Sequence, residues 1–204
     1  MAALPQLPLS SSHRDRLIAG LADSIRERGY RDTKITDIVG HARTSRRSFY
    51  EQFEDRDACY LALFDTTSDL LVAAVEASVD PAARWQQQVD RALGAYVEAI
   101  AAEPELTVSF IRELPALGEI GAARQRATIE TFARLLVRLV GTESMQRSGV
   151  EPVSLAKAVM LVGGLRELLA HTVEAGHDIG EVQAVAADVI KGALAPEHAN
   201  ANAG

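Results

Sequence analysis

Two adjacent arginines, Arg46 and Arg47, are the most chemically loaded feature of the chain. They lie in residues 29–56, GYRDTKITDIVGHARTSRRSFYEQFEDR, with Ser48, Tyr50 and Gln52 interleaved and Arg43 and Arg56 on either side. A guanidinium is a planar fork of donors that can pair bidentately with the O6 and N7 edge of guanine. Nearby hydroxyls and amides suit phosphate oxygens. Such side chains need a short helix anchored by one buried face, and Phe49 and Phe53, four apart, supply that face. Ser45 is a good N-cap for the helix, and Thr44 belongs to the turn before it. Ile35, Ile38 and Val39 can pack a preceding short helix (about 35–41) inward, with Thr36 in its first turn. Two short helices, a tight turn at 42–44 and a longer bracing helix ahead of them are the parts of a helix-turn-helix.

The charge distribution agrees with a front end that meets a polyanion. The net charge is −7, but residues 1–56 hold ten Lys/Arg against eight Asp/Glu, and residues 57–204 hold eleven against twenty. The front is therefore +2 and the rest −9. With 48% hydrophobic and 24% charged residues, the 204-residue chain has ordinary globular composition and can bury a large core. The longest uninterrupted apolar run is only a few residues, which predicts no membrane span, and no signal peptide is legible. A single cysteine, Cys59, excludes an internal disulfide framework and a cysteine-based zinc site. A cytoplasmic setting is expected.

The elements that must position the arginines are helical throughout. Aromatic content is 5% and no stretch alternates cleanly between hairpin turns, so sheets are not expected. Residues 1–12 and 196–204 read as loose tails. A helix over about 13–28 starts with Ser12 and Asp15 as a capping box and stops at Gly29, with Leu17, Ile18, Leu21 and Ile25 on one stripe. Asp55 or Asp57 opens a long helix to the Asp80–Pro81 step. Further helices follow at about 82–102, from Pro104 to 114, 120–140, 153–174 and 180–194, with a polar loop at 141–151. The expectation is an all-α chain of about nine helices: a helix-turn-helix domain at 13–56, then a helical bundle at 57–195.

On these residues the sequence resembles the TetR family of one-component transcriptional repressors. The resemblance rests on Gly29-Tyr30, on Thr33 with Ile35-x-x-Ile38, and above all on Ser45-Arg46-Arg47-Ser48-Phe49-Tyr50-Glu51-Gln52-Phe53 followed by Arg56. It covers about residues 13–60. It implies base contacts from Arg46 and Arg47, phosphate contacts from Tyr50 and Gln52, a phosphate or base contact from Ser48, and a backbone-phosphate contact from Arg56. The chain departs from the family pattern in three places. Arg43 stands where the turn commonly has glycine, so the turn either avoids a left-handed conformation or bears its cost, and Arg43 adds a possible phosphate contact. Arg47 replaces a smaller residue, and Lys34 replaces the usual Thr/Ser cap, leaving Thr33 to cap one position earlier.

In the bundle, Phe64, Trp85, Tyr96, Phe110, Phe132 and Met160 are the large side chains available to line an apolar effector cavity, with Arg112, Glu113 and His171 as polar hooks. Core packing is the competing reading for each of them. The resemblance implies such an effector, and the large side chains suggest an apolar or aromatic one. A ligand among Phe64, Trp85, Phe110 and Met160 would tilt the helix that begins at Asp57, read as the only route from bundle to reading head. Gly163-Gly164 with Val182, Val185, Val189 and Ile190 suggest a homodimer through the last two helices. No cofactor or metal is expected: Glu174-x-x-His177 is half of a di-iron motif without its other half, and no nucleophile elbow is present, so the chain is not read as an enzyme. The sequence-level conclusion is a ligand-responsive, dimeric, DNA-binding regulator, most simply a repressor. A helical carrier protein without a DNA role is the competing class.

Overall fold

The computed structural model describes residues 12–195; the tails at 1–12 and 196–204 lie outside it, except for Ser12. Among the described residues there are ten α-helices and no strand, so the fold is all-α as expected. The helices are α1 (His13–Asp32), α2 (Ile35–His41), α3 (Arg46–Gln52), α4 (Arg56–Ser78), α5 (Trp85–Ala102), α6 (Pro104–Arg112), α7 (Glu119–Val140), α8 (Glu143–Arg147), α9 (Leu155–Glu174) and α10 (Gly180–Leu194), with a 3₁₀ turn at Pro115–Leu117. The tenth helix is α8, inside the stretch expected to be a polar loop. Met145 and Val150 are two isolated apolar residues in that stretch, and both are buried in the core around Trp85. Two anchors are too few to display a helical period but enough to fix one short helix.

The described residues form two compact units, one of 12–71 with 102–126, the other of 72–101 with 127–195. The first unit is built on α1. Its N-terminus is capped by Ser12, whose Oγ accepts the Asp15 backbone N–H at 3.1 Å. The stripe Leu17, Ile18, Leu21 and Ile25 is buried against Ile38, Phe49, Tyr60 and Leu63. The helix does not stop at Arg28: it continues to Asp32 through a break at Gly29, where φ is 78°. Gly20 decides how closely α2 can approach, since a Cβ there would lie 2.6 Å from the Ile38 carbonyl oxygen.

This unit also contains α6, which the expected boundary at 56/57 had assigned to the bundle. Leu106 and Leu114 share the core of α1 and α4, the Tyr60 and Ser109 hydroxyls are hydrogen-bonded at 3.1 Å, and Phe64 and Phe110 meet edge-to-face at 5.2 Å between centroids. Arg26 donates to both oxygens of Glu103 at 2.8 and 2.9 Å, and Arg31 pairs with Glu113 at 3.1 Å. The chain crosses between the units three times, so α4 is not the only covalent route from one to the other.

By length and composition α4 is apolar enough to cross a membrane, contrary to the reading from uninterrupted runs. Cys59, Tyr60 and Leu63 on it are nevertheless completely buried in the core of the first unit. In the second unit, Trp85, Val89, Leu93, Ala133, Leu161 and Ile190 form the centre of a separate core. Lys191 pairs with Asp90, and Lys157 donates to the Ala193 carbonyl at 2.6 Å, fixing α10 to α5 and α9.

Candidate nucleic-acid interface

The second helix of the pair, α3, is held by its apolar residues and leaves its polar ones outside. Ser45 is its N-cap, with Oγ accepting the Ser48 N–H at 3.0 Å. Phe49 is fully buried and Phe53 nearly so, their rings 5.8 Å apart, and the Arg14 guanidinium lies 5.2 Å from the Phe53 ring centre. With that face fixed, Arg46, Arg47, Tyr50, Glu51 and Gln52 are exposed. Tyr50 is 54% exposed, its ring meeting that of Phe49 edge-to-face at 5.6 Å between centroids, so it is not a core residue. Arg47 pairs with Glu51 one turn on, at 3.1 Å, with its side chain 89% open to solvent. Such a pair is weak and salt-screened, and it breaks readily in favour of a stronger partner. Arg46 and Arg43 form no ion pair with any described residue.

The turn between α2 and α3 is closed by backbone bonds from Ala42 N–H to the Ile38 carbonyl at 2.9 Å and from Thr44 N–H to the Val39 carbonyl at 3.0 Å. Arg43 sits at φ 49°, the one non-glycine residue with positive φ among those described. The turn therefore bears the left-handed cost rather than avoiding it. Thr36, Arg43 and Ser45 are exposed and Thr44 and Ser48 half-buried, all within the two short helices and their turn.

The start of α2 is set differently from the expected cap. Lys34 occupies the N-cap position, and its backbone N–H is satisfied by the Asp37 carboxylate at 2.8 Å. Thr33 closes α1 instead: its hydroxyl donates to the Gly29 carbonyl at 2.8 Å and lies 3.0 Å from the buried Ser24 hydroxyl.

Arg56 has partners within the protein. Its Nη1 donates to the carbonyl oxygens of Thr33 at 2.8 Å, Tyr30 at 3.1 Å and Arg31 at 3.4 Å, and the guanidinium lies 4.2 Å from the centre of the Tyr30 ring. The Tyr30 hydroxyl donates to Asp57, and burial with this bond pushes its pKa far above the usual tyrosine range. Sequence reasoning missed this arrangement, because carbonyls brought together by a chain bend leave no local pattern.

The residues named as effector ligands are not brought to one place. Tyr96 and Phe132 line a cavity of about 90 Å³ in the second unit and meet edge-to-face at 5.5 Å. Phe64 and Phe110 belong to the core of the first unit, Trp85 is buried beside the cavity-lining Val89 without itself lining the cavity, and Met160 is 65% exposed. Arg112 and His171 are exposed on the surface. Most of the cavity wall is aliphatic (Val75, Leu93, Leu135, Leu136, Val162 and Leu165 among others), residue types that sequence gives no reason to separate from ordinary core. Among the described residues no cluster of His, Cys, Asp or Glu could hold a metal ion.

Comparison with known proteins agrees with this geometry. Residues 17–63, which span α1 to the first turns of α4, match the family model for bacterial regulatory proteins of the tetR family. No curated protein sequence matches the chain. Among solved structures, the fatty acid degradation regulator FadR from Bacillus halodurans has a TM-score of 0.70 at 15% identity, over 88% of this chain and 95% of that one. FadR from Bacillus subtilis, solved in complex with stearoyl-CoA, has a TM-score of 0.70 at 13% identity, over 85% and 95%. A TetR-family transcriptional regulator from Pectobacterium atrosepticum has a TM-score of 0.64 at 24% identity, over 89% and 91%. At these identities the likeness is one of fold.

Proposed function

We propose that this chain, whose residues 17–63 match the family model for bacterial regulatory proteins of the tetR family, is a dimeric regulator of transcription that binds a near-palindromic operator and is released by a small apolar effector. The observation that carries the reading is α3: a helix anchored by Phe49 and Phe53 that directs Arg46, Arg47, Tyr50 and Gln52 outward. On duplex DNA the two arginines contact base edges in the major groove, Ser48 contacts phosphate or a base edge, and Thr36, Arg43, Thr44, Ser45, Tyr50 and Gln52 contact phosphate or sugar. The Arg56 side chain, 32% exposed, contacts backbone phosphate while its Nη1 stays on the carbonyls. Repression follows when the operator overlaps a promoter, and the protein works in the cytoplasm.

One short reading helix buries too little surface for useful affinity, so two copies are needed. Val185 and Val189 on α10 are 53% and 55% exposed, Met160 on α9 is more so, and a Cβ at Gly163 or Gly164 would meet no neighbour. Exposed apolar side chains on both helices, with open space at the two glycines, support a second copy packing there.

The cavity supports the effector, and the stearoyl-CoA bound to the Bacillus subtilis neighbour supports an apolar one. The switch requires that the effector prefer the conformation that DNA does not. Helix α4 carries Arg56 at one end and the cavity-lining Val75 near the other, and is one of the routes by which occupancy could reach the reading head. Recovering the genomic fragments that the purified protein retains tests the reading: two half-sites about one helical turn apart are expected, and retention without a shared motif contradicts it.

A further inference from the structure

Glu51 is the only acidic residue of α3, and helix stability does not account for it. It stands in the last turn, with Arg46 and Arg47 in the first, whereas the partial charges at helix ends favour acids first and bases last. An arginine followed four residues on by a glutamate is also the weaker order for such a pair. The Glu51 side chain is 55% exposed, among the outward-facing residues of the helix that carries the two arginines. Beside a polyanion its charge opposes binding to every sequence. What Glu51 does hold is one atom: it accepts from Arg47 Nε at 3.1 Å. The terminal nitrogens of Arg47, Nη1 and Nη2, bond no described residue. A guanidinium offers two donor edges, Nη1 with Nη2 or Nε with one Nη. The Glu51 carboxylate occupies the second and leaves the first open. Arg46 beside it has no such partner among the described residues, so both of its edges are open.

We propose that Glu51 determines sequence specificity by positioning Arg47: it holds the guanidinium to read guanine through Nη1 and Nη2, and it penalises binding wherever guanine is missing. The proposal rests on the reading of α3 as the helix that enters the major groove, and names how one of its arginines discriminates. Guanine is the one base whose major-groove edge sets two acceptors, O6 and N7, side by side. There Arg47 keeps Nε on Glu51 while its terminal nitrogens meet both acceptors. The pair strengthens as the groove displaces water from around it. Phosphates line the sides of the groove rather than its floor, so Arg47 reaches them by turning away from Glu51. The exposed ion pair is weak enough to break for that contact. The Glu51 carboxylate is then left uncompensated beside the phosphates. Glu51 thus separates operator from other DNA by weakening the wrong complexes, and adds little to the affinity of the right one.

The test is a double-mutant cycle on the full-length protein: wild type, Glu51→Gln, Arg47→Ala and the two combined. Each is titrated against the recovered operator and an unrelated duplex at the same salt concentrations, with thermal midpoints measured alongside. Glutamine keeps the shape of glutamate and a neutral acceptor, which holds an arginine about half as strongly. Glu51→Gln is expected to keep the thermal midpoint and to bind the unrelated duplex about 3–10-fold tighter, with a salt dependence steeper by about one ion. Operator affinity is expected to change less than about twofold, because lost repulsion and lost positioning offset each other there. The ratio of operator to unrelated affinity therefore falls about 3–10-fold. With Arg47→Ala already present, Glu51→Gln is expected to tighten both duplexes alike and leave the ratio unmoved. A ratio that Glu51→Gln does not change in the wild-type background overturns the proposal. So does a fall of equal size with and without Arg47, since Glu51 would then act on the DNA by itself. Either result leaves α3 as the reading helix, whereas a ratio unmoved by Arg47→Ala alone contradicts the assignment of Arg47 as a base reader on which the proposal rests.

Discussion

The guanidinium of Arg56, the first residue of α4, lies 4.2 Å from the centre of the Tyr30 ring and donates to the Tyr30 carbonyl at 3.1 Å. One side chain thus binds the start of α4 to the bend that ends α1, with further bonds to Arg31 and Thr33. Charge-assisted bonds to backbone carbonyls are among the stronger polar contacts. Arg56→Ala is expected to destabilise the reading head by about 1–3 kcal/mol, measured by chemical denaturation. Arg56→Lys recovers only part, because an ammonium cannot bridge several carbonyls and stack in one plane. Full stability in Arg56→Ala would refute the bracing role.

Arg43 at φ 49° makes the opposite kind of prediction. A left-handed arginine costs roughly 1–2 kcal/mol, of which glycine's greater freedom in the unfolded chain returns part. Arg43→Gly is therefore expected to stabilise the protein by about 0.5–1 kcal/mol. If Arg43 touches phosphate, the same variant binds all DNA sequences more weakly and lowers the salt dependence by about one ion. Unfolding midpoints and a salt titration separate the two effects, and a destabilised variant would count against left-handed strain at the turn.

Much of the reading head was legible because its signals are local. Ser12 with Asp15 and Ser45 with Ser48 are caps that a four-residue window reveals, and the spacing of Phe49 and Phe53 by itself leaves Tyr50 off the buried face. What was hidden depends on distant partners. Gly20 looks like a weak spot in α1 until the Ile38 carbonyl is seen against it, although an isolated glycine in a good helix is itself a cue to close packing. Helix α6 and the turn after it join the head's core through Leu106 and Leu114, which no spacing rule assigns to one unit over another. The cavity escaped because large aromatic residues drew attention, whereas its wall is mainly Val and Leu.

The exposed Val185 and Val189 set a prediction on assembly. Val185→Glu with Val189→Glu places two carboxylates on the proposed dimer face without touching either core. The variant is expected to be a folded monomer by light scattering at micromolar concentration and to lose operator affinity, since the two half-sites are no longer bound together. A folded dimer would move the interface elsewhere.

Cys59 is completely buried, and loss of hydration pushes its pKa up to about 12. The reactive thiolate is then a negligible fraction at pH 8. An aromatic disulfide reagent is expected to leave the native protein unmodified at pH 8 and to titrate one thiol per chain in denaturant. Rapid labelling of the native protein would show that the core around Leu17 opens easily, against the packing described.

The central claim is that Arg46 and Arg47 read sequence. The direct measurement is fluorescence anisotropy of wild type and the Arg46→Ala/Arg47→Ala double variant, on the recovered operator and on an unrelated duplex at the same salt concentration. Each arginine is expected to contribute about 1–3 kcal/mol of discrimination. The ratio of operator to unrelated affinity should therefore fall at least about tenfold in the double variant while its thermal stability is kept. An unchanged ratio, with both duplexes bound as by wild type, would contradict the assignment of α3 as the reading helix.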